Sequence, residues 1–278
     1  MTPQIQVPLV EYSLQGGISI TGMPPNRMRW ISYQYLREPL PYCVFLDRAI
    51  DRAHTIQARK KIALLMEPRQ IVDEVGWLTT RWQLPILDYV LTYDRSNIRH
   101  FGKKGLWYPI GGCWVPEQDR HLHHRKPKLL SIIASGKKSS HGHQLRHEVI
   151  RVLGNKVDVY GRGYRPIEFK TEALAPYQFS IAIENGRVEA MFTEKIIDCF
   201  VTGTVPVYFG CNAIREFFNP EGIVEFDTSQ ELEDILPQLT PERYNVMRSA
   251  IEDNFQRAQK YLIAEDWICE QYPWLFSS

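Results

Sequence analysis

The sequence lacks any pair of cysteines in a CxxC arrangement, and its five cysteines are odd in number and widely scattered. A disulfide framework needs an even set of half-cystines, and a zinc ribbon needs paired ligands at short spacing. The pattern therefore argues against both and favours free thiols in a reducing compartment. The five cysteines are Cys43, Cys113, Cys199, Cys211 and Cys269.

The chain also lacks a long hydrophobic run and an excess of charge of either sign. No stretch approaches the roughly 18 consecutive apolar residues of a membrane span, and the first residues do not have the basic start and apolar core of a signal peptide. With 33 basic and 32 acidic side chains, the formal net charge is +1, which argues against a nucleic-acid partner. We expect a cytoplasmic protein without a transmembrane segment, in which any basic site is local.

The length allows two domains, because 278 residues with 44% hydrophobic content can build two cores. In the first part, Tyr42–Leu46, Lys61–Met66 and Tyr89–Thr92 are short apolar runs typical of buried parallel strands. A break at Pro109–Glu117 follows. We predict an α/β fold with two Rossmann-type domains, residues 1–120 and 121–278, that face each other across a cleft.

The second half alternates short strands with helices, which is typical of βαβ units. The predicted strands are Leu129–Ala134, Val157–Tyr160, Phe179–Ile183, Val205–Phe209 and Ile223–Phe226. The predicted helices are His143–Leu153, Thr193–Val201, Ala213–Phe218, Glu231–Leu236 and a long Pro241–Ile263.

The segment Phe179–Gly210 carries the clearest chemical pattern. An apolar strand ends in the polar pair Glu184-Asn185, and after a loop a helix begins at Thr193, which suits an N-cap. Ligands of open α/β sheets bind just beyond the carboxyl ends of strands. The N–H groups at a helix start favour a phosphate, and Lys195 adds a full positive charge. The pattern indicates a diphosphate site, with a plain helix cap and a solvated lysine as the alternative.

The run E-N-x7-T-E-K-I-I-D at Glu184–Asp198, followed by T-G-T-V-P-V-Y-F-G, resembles the signature of glycosyltransferase family 10, the α-1,3-fucosyltransferases. The resemblance extends upstream through Lys128–Gly161. It implies the GT-B architecture, a GDP-fucose donor without metal or further cofactor, and a glycan or glycolipid acceptor. Gly186 stands where the family usually has Ser or Thr, and Met191 where it usually has Tyr, so another nucleotide-sugar donor stays open.

The resemblance also implies roles for individual residues of the second domain. Arg146 and Lys195 hold the diphosphate of the nucleotide-sugar and neutralise charge as the leaving group departs. Glu194, which follows the N-cap Thr193, accepts hydrogen bonds from the ribose hydroxyls, and Asn185 lines the nucleotide pocket. These five residues are the predicted nucleotide-sugar-binding set.

An inverting transfer also needs a carboxylate that takes the proton of the acceptor hydroxyl. Glu67 follows the strand-like run Lys61–Met66, and the first domain of the fucosyltransferases is similar in placing its general base, a Glu, after an apolar strand. Glu67 is therefore the predicted catalytic residue of an acceptor-side domain. A salt bridge to Arg69 is the alternative role for Glu67, and Asp47 and Asp94 are the next candidates for the base.

Two other features of the sequence, and the function itself, have alternative interpretations. His143 and His147 stand four residues apart on a predicted helix, but no third ligand accompanies them, so no metal site is expected. The aromatic tail within Tyr244–Phe276 suits either peripheral contact with a membrane surface or packing on the other domain. A nucleotide-sugar-binding protein without catalysis is the alternative function.

Overall fold

The computed structural model of the chain describes residues 5–10, 31–34, 40–66 and 84–276. Its contacts group the chain into two compact units, Met1–Ile110 with Ile263–Ser278, and Gly111–Leu262. The boundary between the units thus lies after residue 110, whereas the domains predicted from the sequence meet at residue 120 and leave the last segment in the second domain. None of the described helices is long and apolar enough to cross a membrane.

The first unit is built on a parallel sheet. Its described strands are β1 (Ile5–Val10), β2 (Ile31–Gln34), β3 (Leu40–Leu46), β4 (Ala58–Leu64), β5 (Tyr89–Thr92) and β6 (Gly105–Trp107), with helix α1 (Arg95–Phe101) after β5. The strand order is β2-β1-β3-β4-β5-β6, and Val44 of β3 lies opposite Ile62 of β4. Both side chains are buried, as expected for a parallel sheet covered on both faces. The three apolar runs predicted as strands are confirmed.

The C-terminal segment belongs to this first unit because it packs on the same sheet. It contains helix α9 (Ala264–Gln271). Lys60 Nζ on β4 donates to the carbonyl of Leu275 at 2.8 Å, and the Tyr272 hydroxyl donates to the carbonyl of Trp107 at 2.7 Å. The rings of Tyr89 and Trp274 lie 4.9 Å apart. Packing against protein is therefore confirmed for the aromatic tail.

The second unit is also built on a parallel sheet flanked by helices. Its strands are β7 (Lys128–Ile133), β8 (Asp158–Tyr160), β9 (Tyr177–Ile183), β10 (Val205–Phe209) and β11 (Val224–Glu225). Its helices are α2 (His141–Leu153), α3 (Thr171–Leu174), α4 (Glu194–Val201), α5 (Ile214–Phe217), α6 (Ser229–Ile235), α7 (Pro241–Val246) and α8 (Arg248–Ala258). The predicted alternation, and with it the α/β class, is confirmed.

The order of strands in the second unit creates a crevice. The order is β11-β10-β9-β7-β8, so the chain leaves β7 toward β8 on one side and continues from β9 toward β10 on the other. Connections that diverge in this way leave a gap at the carboxyl ends of the two strands, which is where open α/β sheets bind ligands. The residues after β7 and β9 therefore form the first place to look for a site.

The long helix predicted over Pro241–Ile263 is wrong, because the structure ends α7 at Val246 and starts α8 at Arg248. Met247 has ψ of 0°, far from the helical value near −42°. Its N–H is shared between the carbonyls of Arg243 and Tyr244, both at 3.2 Å. The Met247 side chain is buried in the core of the unit, and the stretch contains no Gly and no internal Pro, so the sequence has no breaker residue at this point.

Candidate functional site

A cavity of about 240 Å³ opens at the predicted crevice of the second unit. Its walls include residues that follow β7 and β8, residues of β9 itself, and residues on α2 and α4. An apolar side is formed by Ile133, Leu174 and Ile181. The charged side chains that line the cavity are Arg146, Arg162, Lys170, Lys195, Glu194 and Asp198.

The loop after β9 is closed by Glu184, whose side chain is only 1% exposed. One carboxylate oxygen accepts from the Thr193 N–H at 2.9 Å, and the other accepts from the Thr193 hydroxyl at 2.7 Å. Lys195 Nζ lies 3.3 Å from the same carboxylate. Three donors thus compensate a buried charge that would otherwise be costly, and the two ends of the loop are held together.

Two glycines allow neighbouring elements to approach this loop. A Cβ on Gly142 of α2 would lie 1.8 Å from the carbonyl oxygen of Glu184, and a Cβ on Gly210 would lie 2.5 Å from Glu184 Cγ. The Gly142 N–H donates to the carbonyl of Asn185 at 3.0 Å. The start of α2 therefore rests directly on the turn after β9, because residue 142 has no side chain.

Arg146 reaches the same turn from the next part of α2. Its side chain is buried, with 6% of the residue exposed. Nε donates to the carbonyl of Ile183 at 3.1 Å, and Nη2 donates to Ile183 and to Asn185 Oδ1, the latter at 3.1 Å. Burial lowers the pKa of Arg146, while Glu184 and Glu194 oppose that shift. A guanidinium remains charged under such a shift, so α2 delivers a fixed positive charge to the cavity wall.

A second group of charges comes from the first turns of α4. The Thr193 hydroxyl caps the helix by accepting from the Lys195 N–H at 3.4 Å. Lys195 Nζ donates to Glu194 Oε1 at 3.1 Å, and Lys170 Nζ lies 3.5 Å from the same oxygen. Burial raises the pKa of Glu194, but Lys195 and Lys170 outweigh burial and lower it to about 2. Glu194 is therefore an ionised acceptor at neutral pH.

Lys170 also pairs with a second carboxylate, Asp198. Lys170 Nζ lies 2.7 Å from Asp198 Oδ2, and the Trp114 N–H donates to Asp198 Oδ1 at 2.7 Å. Burial raises the pKa of Asp198, and the Lys170 charge and the Trp114 N–H oppose that rise. Four cations and two carboxylates line the cavity, so its wall carries an excess of positive charge that suits an anionic ligand.

The structure brings the five predicted nucleotide-sugar-binding residues into one cluster, in which Arg146 contacts Asn185 and Thr193 contacts Lys195. Their role in binding stays a prediction. The prediction set omitted Lys170 and Asp198. Asp198 lies four residues after Glu194 on the same helix, a spacing that signals a shared face. Lys170 has no comparable signal, since it reaches the site only through tertiary packing.

The predicted catalytic residue Glu67 lies outside the described residues. Of the other candidates for the base, Asp94 caps α1 by accepting from the Ser96 N–H at 2.9 Å. Asp47 accepts from the Met66 N–H at 2.8 Å. Both carboxylates thus make backbone contacts, and the assignment of the base to Glu67 stays a prediction.

The histidines of α2 make hydrogen bonds to protein groups. His143 Nδ1 lies 2.8 Å from the Ser140 hydroxyl, and His147 Nδ1 lies 2.7 Å from the Tyr164 hydroxyl. Among the described residues, no group of three or more His, Cys, Asp or Glu side chains is placed to hold a metal ion.

Comparison with known proteins gives matches of two kinds. The sequence model for the C-terminal part of glycosyltransferase family 10 (fucosyltransferase) matches residues 123–271, which is more than half of the chain. An α-(1,4)-fucosyltransferase of Arabidopsis thaliana is 38% identical over 63 residues, 22% of this chain and 16% of that protein. An α-(1,3)-fucosyltransferase FucT of Helicobacter pylori is 37% identical over 62 residues, 22% of this chain and 13% of that protein.

The matched segments are thus a small part of these relatives' lengths. Among solved structures, an α1,3-fucosyltransferase with GDP-fucose has a TM-score of 0.59 to this chain at 14% identity, covering 99% of this chain and 91% of that one. At this identity the likeness concerns the fold, and it confirms the predicted GT-B-like class.

Proposed function

The chain belongs to glycosyltransferase family 10, and from this premise we propose that it is an inverting fucosyltransferase. It transfers fucose from GDP-fucose to a hydroxyl group of a glycan or glycolipid. The observation that carries this proposal is the pair Arg146 and Lys195, which line one cavity at the carboxyl ends of the strands. Both lie within the part of the chain that the family model matches.

The diphosphate of the donor binds at Arg146 and Lys195. A guanidinium can bind a phosphate through two parallel N–H bonds, and an ammonium acts as a point charge. Arg146 is already fixed by the carbonyl of Ile183 at 3.1 Å, so little reorganisation is needed when the ligand arrives. The two cations stabilise the negative charge that grows on the leaving diphosphate as the glycosidic carbon–oxygen bond breaks.

The nucleoside part of the donor contacts the remaining residues of the predicted set. Glu194, kept ionised by Lys195 and Lys170, accepts hydrogen bonds from the ribose hydroxyls. Asn185 lines the pocket beside Arg146, and Thr193 keeps the start of α4 in place. These roles account for the polar cluster after β9 better than a plain helix cap does.

Chemical transfer requires a base on the acceptor side, and we assign it to Glu67. The acceptor oxygen attacks the anomeric carbon of fucose, its proton passes to the Glu67 carboxylate, and the bond to the diphosphate oxygen breaks with its electron pair moving to the phosphate. Attack from the face opposite the leaving group inverts the configuration. No metal or further cofactor takes part in this proposal.

The residue at position 191 bears on which sugar the donor carries. Met191, at the position where the family usually has Tyr, is 3% exposed, so its thioether side chain packs in the protein and offers no hydroxyl to a ligand. Another nucleotide-sugar donor is the alternative that this replacement favours. A donor panel of GDP-, UDP- and ADP-sugars in a transfer assay separates the two.

The transfer assay combines GDP-fucose, a panel of glycan acceptors and NMR analysis of the product. We expect a fucosylated product whose anomeric configuration is opposite to that of the donor. Glu67→Gln should abolish transfer and leave GDP affinity unchanged, whereas Lys195→Ala should weaken GDP binding by about tenfold or more, because a charge-assisted contact is worth about 1.5–3 kcal/mol. Retained configuration, or full turnover by Glu67→Gln, would contradict the mechanism.

A further inference from the structure

Two carboxylates stand one helical turn apart at the start of α4 and face the same cavity. Glu194 and Asp198 both line it, and their side chains are 14% and 1% exposed. Like charges at this spacing destabilise a helix even when they are exposed to water. Burial increases the cost, because an ionised carboxylate loses its hydration. The pair needs a counter-ion to remain charged.

Lys170 is that counter-ion, and it bridges the two carboxylates. Its Nζ lies 2.7 Å from Asp198 Oδ2 and 3.5 Å from Glu194 Oε1. The ammonium also lies 4.5 Å from the centre of the Trp114 ring, a cation–π contact. The Trp114 N–H binds the other oxygen of Asp198 at 2.7 Å. Lys170 is thus fixed between two negative groups and an aromatic face.

The remaining cations of the site would otherwise have to balance these carboxylates. Lys195 already lies 3.1 Å from Glu194 and 3.3 Å from the buried Glu184. Without Lys170, the negative charge of Asp198 would be uncompensated beside the diphosphate position. An uncompensated carboxylate repels a phosphate and competes with it for Lys195.

We propose that Lys170 is a positioning residue of the donor site, which shares its positive charge between Glu194 and Asp198 and so reduces their competition with the diphosphate for Lys195 and Arg146. The inference rests on the proposed function, since it concerns the same donor. Lys170 lies outside the family motif, and its role is to offset the negative charge of the two α4 carboxylates, Glu194 and Asp198.

The other titratable groups around the pair limit what can change with pH. Burial raises the pKa of the Cys113 and Cys199 thiols, the latter to about 12, so both stay neutral at neutral pH. When Lys170 is removed, the two carboxylates lose their shared cation and can take up a proton near neutral pH. Lys126, whose pKa burial lowers to about 7, titrates in the same range in wild type and variant, so the ratio of their Kd values isolates the effect of Lys170. The charged and titratable groups near the pair are Lys195 and Cys199 on α4, Arg146 on α2, Glu184 after β9, Cys113, and Lys126.

The test is calorimetric titration of GDP into wild-type protein and Lys170→Met between pH 6 and pH 8.5. We expect the variant to bind about tenfold more weakly at pH 8, as removal of one partner of a buried charge pair does. The ratio of variant to wild-type Kd should shrink toward pH 6, because a carboxylate then takes up a proton. A purely structural role would give the same ratio at each pH.

Two further variants keep the test independent of folding. Lys170→Met combined with Asp198→Asn removes both charges, and we expect GDP affinity within about threefold of wild type. Lys128→Met is the matched control, because it breaks the exposed ion pair with Asp158 at 3.1 Å outside the cavity, and it should bind GDP as wild type does. Circular dichroism establishes that each variant is folded.

The outcomes separate the two claims. A wild-type chain that does not bind GDP would overturn the proposed donor and with it the role of Lys170 there. Wild-type binding with an unaffected Lys170→Met variant would overturn the inference alone. So would a loss in Lys170→Met that is independent of pH and is not recovered in the double variant.

Discussion

Gly142 offers a sharp test of how the site is built, because a single methyl group there would meet backbone. A Cβ would lie 1.8 Å from the carbonyl oxygen of Glu184 and 2.9 Å from Asn185 Cα. To restore ordinary contact, α2 and the turn after β9 must separate by about 1.5 Å. The partner atoms belong to the main chain and cannot rotate away, so Gly142→Ala must displace the turn that carries Asn185.

The expected magnitude combines two opposing terms. Overpacking of a tight contact costs about 1–3 kcal/mol, and replacing Gly by Ala within a helix returns up to about 1 kcal/mol. Gly142→Ala should therefore lower the free energy of unfolding by about 1–2 kcal/mol, which corresponds to about 3–6 °C in Tm for a chain of this size. The displaced turn should also weaken GDP binding by about tenfold.

The assay is thermal unfolding followed by circular dichroism, together with calorimetric titration of GDP. Gly136→Ala is the matched control, because a Cβ on Gly136 meets nothing within 4 Å. It lies in the loop before the same helix and should change neither quantity appreciably. If Gly142→Ala matched Gly136→Ala in both stability and GDP affinity, the close approach of α2 to the turn would be refuted.

Two further predictions concern stability. Thr193→Val removes an N-cap and two contacts to the buried Glu184, so its Tm should fall further than that of Thr240→Val, which removes only the cap of α7. Burial lowers the pKa of Lys126 from its ordinary 10.5 to about 7. In the unfolded chain Lys126 keeps its proton up to about pH 10, so between these values the unfolded state binds more protons than the native state. The free energy of unfolding of the wild type should therefore rise between pH 7 and pH 9 relative to that of Lys126→Met. Equal losses of Tm in Thr193→Val and Thr240→Val would contradict the first prediction. The second would be contradicted if urea unfolding gave parallel pH profiles for wild type and Lys126→Met.

The parts of the site that could be predicted from the sequence are contiguous in it. Glu184, Asn185, Thr193 and Lys195 follow one strand and open the next helix, so strand–loop–helix rules and a family motif are enough to group them. The same resemblance predicts Arg146, which donates to Asn185 Oδ1 at 3.1 Å. In this segment, residues that are close in the sequence are also close in the folded structure.

The parts that escaped prediction depend on tertiary packing. Lys170 lies between β8 and β9, and its pairing with Asp198 forms only when α3 and α4 pack against the same sheet. Trp114 lies outside the family motif, yet it lines the cavity. The break at Met247 has no local signal, because the stretch from Pro241 to Ile263 contains no Gly and no internal Pro. Such features follow from the assembled fold.

The most direct test of the central claim is a thermal-shift screen of the purified protein against GDP, UDP, ADP, CMP and their sugar conjugates. A ligand that binds only the native state raises Tm by mass action. At a ligand concentration of 100 times Kd, the free energy of unfolding increases by about 2.7 kcal/mol. We predict that GDP and GDP-fucose raise Tm and that Lys195→Ala loses this response. A shift with UDP alone would contradict the donor, and no shift with any nucleotide would contradict the site itself.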